Sequence, residues 1–234
     1  SREVVVVSGV RTAIGTFGAS LKDTPPIEMA TLVVRESLAR AGVDGKNVGH
    51  VVFGHVVNTE ARDMYLSRVA AVNGGCAEGT PAFNVNRLCG SGLQAIVSAA
   101  QGIALGEYNV AIGAGAESMS NAPHMTSAGR NGVKMGNLVF EDAMLGALHD
   151  PFEGFHMGIT AENVAERCSI SREEQDALAV LSQTRAAAAI ANGYFKDQIV
   201  PVEIKTRKGT TVFDTDEHVR GNTTLEALAG LKPV

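Results

Sequence analysis

The chain has 234 residues, 45% hydrophobic and 19% charged, enough to bury one large core or about one and a half domains. A net charge of -5 gives no electrostatic reason to bind nucleic acid or an anionic membrane, and no apolar run approaches the roughly 20 residues that span a bilayer. Three cysteines without a C-x-x-C pair suggest neither a disulfide framework nor a zinc site, and the absence of a signal-peptide pattern reads as cytoplasmic.

In chain order, residues 4–7 are four consecutive valines, the kind of run that is buried on both faces of a parallel sheet, so a first strand is expected there. Ile27, Ala30, Val34, Leu38 and Ala41 form a helical stripe after Pro25-Pro26, with Gly42 as its stop. A strand is expected over 51–53, a helix over 64–72 before Asn73-Gly74-Gly75, and further strands over 82–85 and 110–112. Between those last two, Leu93, Ile96, Val97, Ala100 and Ala104 recur at three- and four-residue steps. They predict a helix from about 90 to 105 whose apolar face is buried.

After Met119 the sequence turns polar, Gly-rich and irregular through 155, as functional insertions do. Two helices follow: Thr160 is expected to cap the first, and Ser171-Arg172-Glu173-Glu174 is a capping box opening a second that runs to Gly193. The alternation predicts an α/β fold, with a mixed, mainly parallel sheet flanked by helices over 1–119 and an α-rich insertion over 120–234.

Cys89 lies in Asn86-Arg87-Leu88-Cys89-Gly90-Ser91-Gly92, where the strand at 82–85 turns into the helix. Free backbone N–H groups and the positive helix end favour a thiolate there. Gly90 and Gly92 are poor helix formers, about 1 kcal/mol each worse than Ala, but they let a substrate approach the sulfur. An inert buried cysteine is the plainer reading of the thiol alone, and the turn chemistry favours the nucleophile.

Asn86 to Ile96 resembles the nucleophile motif of the thiolases, the acetyl-CoA acetyltransferase family. Four more segments resemble that family in order: Val7-Ser8-Gly9-Val10-Arg11-Thr12-Ala13-Ile14-Gly15, Gly113-Ala114-Gly115-Ala116-Glu117-Ser118-Met119-Ser120, His156-Met157-Gly158 with Thr160-Ala161-Glu162, and Asp214-Thr215-Asp216-Glu217-His218-Val219-Arg220. The resemblance implies a thiolase-like core with an inserted loop domain, a coenzyme A thioester as substrate, no permanently bound cofactor, and a homo-oligomer, dimer or tetramer. It implies that Cys89 carries the acyl group and that Leu148, His156, Met157 and Arg220 contact coenzyme A. Taken alone, His156 reads as a hydrogen-bonded loop histidine, Arg220 as a solvated arginine, and Leu148 and Met157 as core residues.

The family also uses a Gly-His-Pro histidine, a water-holding asparagine and a second cysteine in a Cys-Gly segment. Neither a Gly-His-Pro nor a second Cys-Gly segment occurs here: Cys76 precedes Ala77 and Cys168 precedes Ser169. The chain therefore reads as the amino-terminal half plus loop domain, without the groups needed to complete a condensation cycle. At Asn58-Thr59-Glu60-Ala61-Arg62-Asp63-Met64 it departs from the usual Gly-Gln-Asn-Pro-Ala-Arg, marking either an acyl-length subgroup or a subunit contact. Two alternatives stand beside this reading: a ketoacyl-synthase-like condensing enzyme, and a non-catalytic coenzyme A-binding or assembly module.

Overall fold

The computed structural model describes residues 2–207 and 209–234. The first half builds β1 (Arg11–Thr12), α1 (Pro26–Ala41), β2 (His50–Gly54), a 3-10 turn (Ala61–Tyr65), α2 (Leu66–Gly74), β3 (Ala82–Val85), α3 (Ser91–Leu105) and β4 (Ala111–Gly115). Pro26 opens α1 where its missing N–H costs nothing, and Gly42 closes it at φ 62°, a left-handed conformation that glycine adopts freely. β2 is the middle of a parallel sheet in order β3-β2-β4, with Val51 opposite Ala82 on one side and Ile112 on the other. Val51, Val52 and Phe53 are fully buried, as expected of a strand covered on both faces. Val34, Leu38, Leu66 and Ala70 pack on one face with Val51 and Phe53, while Ala95 and Ala99 of α3 pack on the other with Val52. Each such large apolar side chain contributes about 1.5–3 kcal/mol by leaving water.

The buried face of α3 is not the one its periodicity predicts. Leu93 is 69% exposed and Ile96 49%, whereas Ala95 is 0% exposed and Ser91, Ala99 and Gly102 are also buried. Distance of approach is the reason. A Cβ on Gly54 would lie 2.4 Å from the Ser91 carbonyl carbon, and one on Gly113 would lie 2.6 Å from Ile96 Cα. The helix therefore meets the sheet through its small residues, and the bulky stripe faces outward. By length and composition the stretch Leu88–Leu105 also comes closer to a membrane span than the sequence reading allowed, a property that core helices share.

The second half begins with a 3-10 turn (Met119–Asn121) and then forms β5 (His124–Met125), α4 (Ala128–Asn131), β6 (Glu141–Asp142) and α5 (Ala143–Leu148), with β5 and β6 antiparallel. It continues through α6 (Met157–Cys168), α7 (Arg172–Ala191), β7 (Ile199–Val200), the antiparallel pair β8 (Val202–Thr206) and β9 (Gly209–Phe213), and α8 (Leu225–Ala229). The Ser171 capping box opens α7: Ser171 Oγ accepts from the Glu174 amide, and Glu174 accepts from the Ser171 amide. Thr160 does not cap α6. His156 takes that place four residues earlier, its Nδ1 accepting from the Gly158 amide at 3.0 Å, so Thr160 falls inside the helix.

Residues 4–7 form no strand, and Val6 is 84% exposed. A β-branched run supplies the propensity for a strand, but a strand needs a partner to satisfy its backbone. Here β4 is a sheet edge, and a cavity of about 800 Å³ is lined by the valines and by residues 110–116. Pairing begins only at Arg11–Thr12, parallel to β7.

That pairing brings two distant motifs together. Arg11 makes a bidentate pair with Asp216 at 2.7 and 2.9 Å and sits 5.2 Å from the Phe195 ring centroid. Asp216 also accepts from the Ile14 amide at 2.9 Å, and Glu217 accepts from the Thr16 amide and the Ser20 hydroxyl. The Arg11 hydrogen bond, chiefly, holds the Asp216 carboxyl below its ordinary range, and the Ser20 hydroxyl does the same for Glu217.

Candidate active site

Cys89 occupies a tight elbow between β3 and α3. The Asn86 side-chain oxygen accepts from the Leu88 amide at 3.0 Å, Gly90 N–H donates to Arg87 O, and Ser91 N–H donates to Leu88 O. Ser91 Oγ fastens the loop from inside, accepting from the Arg87 amide at 2.8 Å and donating to Leu88 O at 2.6 Å. The turn requires Leu88 at φ 47°, a left-handed conformation costing a side-chain-bearing residue on the order of 1 kcal/mol. Gly90 is the N-cap, so Cys89 stands just ahead of the helix start. Its own amide has no partner among the described residues.

The sulfur is exposed and lines a cavity of about 380 Å³. Gly54, Val56 and Val57 from the end of β2, residues 115–117 from the end of β4, and Met144, Ala147 and Leu148 of α5 are among its walls. They are mostly apolar, suited to a thin, largely uncharged chain. Cys76, by contrast, is buried, and burial pushes its thiol up. Cys168, at the end of α6, is exposed.

Of the other residues expected at the site, Leu148 shares the cavity with Cys89. His156, Met157 and Arg220 do not line it. His156 is held as the α6 cap, with its ring edge-on to His149 at 5.4 Å, and Met157 follows it, 41% exposed. Arg220 is exposed; its backbone N–H donates to Gln183 Oε1 at 2.6 Å, and its guanidinium has no partner among the described residues.

Sequence reasoning gave no role to Glu117, which lines the cavity and accepts from the Val56 and Val57 amides at 2.8 and 3.1 Å. Its place after a Gly-Ala-Gly strand end was the available signal. Nor did it find the buried pair His55, just past the apolar end of β2, and Asp63, in the 3-10 turn that follows.

With the elbow and cavity defined, comparison with known proteins settles the family. Residues 4–234 match the thiolase N-terminal domain. The chain belongs to the thiolase family. It is 65% identical over 234 residues to a beta-ketothiolase of Cupriavidus necator, covering 100% of this chain and 59% of that protein. It is 46% identical to the cytosolic acetyl-CoA acetyltransferase of Mus musculus, covering 100% and 58%. The crystal structure of the Bacillus anthracis acetyl-CoA acetyltransferase superposes with TM-score 0.94 at 41% identity, covering 98% of this chain and 58% of that one. Human mitochondrial 3-ketoacyl-CoA thiolase in complex with CoA gives 0.92 at 38% identity, covering 97% and 57%. This thiolase chain thus spans a little under three-fifths of the length of the relatives it matches.

Proposed function

We propose that this thiolase chain provides the acyl-accepting cysteine of an acyl-CoA C-acyltransferase of the beta-ketothiolase type. The observation that carries the reading is the Cys89 sulfur, exposed just ahead of a helix start and opening onto an apolar cavity. Cys89 Sγ attacks the carbonyl carbon of an acyl-CoA, the bond from that carbon to the coenzyme A sulfur breaks, and the thiol proton leaves with coenzyme A. The Cys89 amide is placed to donate to the oxyanion of the tetrahedral intermediate. In the second half-reaction the α-carbanion of another acyl-CoA attacks the acyl-Cys89 carbonyl. A C–C bond forms, the thioester to Cys89 breaks, and 3-ketoacyl-CoA leaves. Thiolysis is the reverse.

In this reading residues 1–119 are the core domain and 120–234 the loop domain, where Leu148, His156, Met157 and Arg220 take coenzyme A. The name of the mouse relative, an acetyl-CoA acetyltransferase, supports coenzyme A thioesters as substrates, and the human structure holds CoA. A cytoplasmic location draws support from the name of the mouse relative. A homo-oligomer, dimer or tetramer, belongs to the same reading and is checked by light scattering on the eluted protein.

Cys89 and Glu117 are the titratable residues lining the cavity, and Glu117 is already engaged by two amides. Deprotonating a second substrate therefore calls for a base beyond these two. Acetyl-CoA should transfer one acetyl group to this chain, found on Cys89 by peptide mass spectrometry and lost in Cys89→Ser. The chain alone should not thiolyse acetoacetyl-CoA at a measurable rate. Acetylation elsewhere, or unchanged in Cys89→Ser, would overturn the assignment, and robust thiolysis by this chain would overturn the need for a further base.

A further inference from the structure

His55 follows the last residue of β2 and is 4% exposed. Its backbone N–H donates to Val85 O at the end of β3, and its Nδ1 lies 2.8 Å from Ala116 O beyond the end of β4. One residue thus touches the carboxyl ends of both neighbouring strands, beside the cavity into which Cys89 opens. A carbonyl oxygen only accepts, so the hydrogen of that bond is on Nδ1. Nε2 then faces Asp63 Oδ2 at 3.9 Å, too far for a hydrogen bond. Asp63 is fully buried, its Oδ2 accepting from Thr59 N, Thr59 Oγ1 and Glu60 N, while Asp63 Oδ1 and His55 Nε2 have no hydrogen-bond partner among the described residues.

Burying an imidazole with one nitrogen unpartnered is unfavourable, and an apolar side chain at the end of this strand would avoid it. What the ring supplies is a donor where the ladder stops. Ala116 N–H donates to Gly54 O, and past that bond residues 55–57 and 116–117 are fastened by His55 Nδ1–H to Ala116 O and by the Val56 and Val57 amides to Glu117. Val56, Val57, Ala116 and Glu117 are cavity wall.

We propose that His55 is a positioning residue for acyl transfer: its Nδ1–H fixes residues 116–117 in the wall of the cavity that Cys89 also lines. It acts through the Ala116 carbonyl and does not touch the reacting sulfur. The inference rests on the acyl-transfer reading above, and the variants separate the two. Asn at position 55 places an amide N–H near the site of Nδ1, Gln places it near Nε2, and Leu removes it.

The test measures acetyl transfer from acetyl-CoA to Cys89 against acetyl-CoA concentration, and iodoacetamide labelling of Cys89 and Cys76, in the complete polypeptide that carries this chain. His55→Leu and His55→Gln should raise the half-saturating acetyl-CoA concentration about tenfold, the scale of one hydrogen bond, with limiting rate and Cys89 alkylation nearly unchanged. His55→Asn should restore near-native half-saturation. Equal behaviour of the Asn and Gln variants, or a loss confined to the limiting rate, overturns the proposal. If His55→Leu unmasks Cys76, that variant has lost its fold, and the Asn and Gln pair decides. If the wild type forms no acyl-Cys89, the thiolase-type reading fails instead. NMR then judges His55: a slowly exchanging Nδ1–H resonance, with the Glu117 amide shifted in the Gln variant but not in the Asn variant, supports it, and absence of that resonance sinks it.

Discussion

Leu88 takes a left-handed backbone so that the following sulfur stands at the cavity, while Cys76, on the same chain, is sealed under α1 and α2. Iodoacetamide at pH 7 should therefore label Cys89 well ahead of Cys76, whose burial both raises its thiol and blocks access, and ahead of Cys168, which lacks a helix start. Peptide mass spectrometry reads the order, and equal labelling of the three removes the helix-start argument. Arg11 and Asp216 allow a pH test. Asp216 titrates below its ordinary range, so its contribution is fully present above about pH 4, the unfolded carboxylate value, and is lost as pH falls through the lowered folded value. Asp216→Asn should cost about 2 kcal/mol in urea unfolding at pH 7, and the gap to wild type should narrow steadily below about pH 4. A gap that stays constant to pH 2 would falsify the pairing as its source. Nothing near either residue in sequence announces this contact, because the partners lie 205 positions apart.

For the elements, the contact between α3 and the sheet is the point of least tolerance. Gly54→Ala places a Cβ 2.4 Å from Ser91 backbone and 2.6 Å from Gly92 N, atoms that cannot move without moving the elbow. It should destabilise by about 1–3 kcal/mol and slow acetylation of Cys89. Gly92→Ala meets nothing within 4 Å and gains up to about 1 kcal/mol of helix propensity, so unfolding should be unchanged or later. Because Gly92 lines the cavity, acetylation should still fall. Denaturant midpoints and acetylation rates on the two variants check both statements; a Gly54→Ala protein as stable as wild type would refute the close approach. The length of α3 was legible from its periodicity, and Gly106 closes it at φ 83°. Its orientation was not, because helical periodicity shows that an apolar face exists but not which face a small-residue contact will bury.

Over the whole molecule, a large apolar surface remains in contact with solvent: the valines at 4–7, the outer face of α3 and the open edge of β4. Contiguous exposed patches of this kind bind apolar dyes and favour association. The chain on its own should bind 1-anilinonaphthalene-8-sulfonate in its folded state, and Leu93→Lys with Leu105→Lys should lower both dye fluorescence and apparent size on gel filtration. Unchanged fluorescence would show that this face is not the one responsible.

The sequence alone determined the features that local chemistry controls: α1 between Pro26 and Gly42, the capping box at Ser171, the strand-turn-helix that carries Cys89, and the thiolase family by five motifs in order. Each depends on residues a few positions apart, where propensity, capping and turn geometry act. Tertiary structure decided what depends on distance in space. It set which face of α3 meets the sheet, left the valine run without a strand partner among the described residues, joined Arg11 to Asp216, and brought Leu148 but not His156, Met157 or Arg220 to the cavity of Cys89. Those outcomes are fixed by close packing and by the pairing of backbone and charge between remote segments, which periodicity along a chain does not encode.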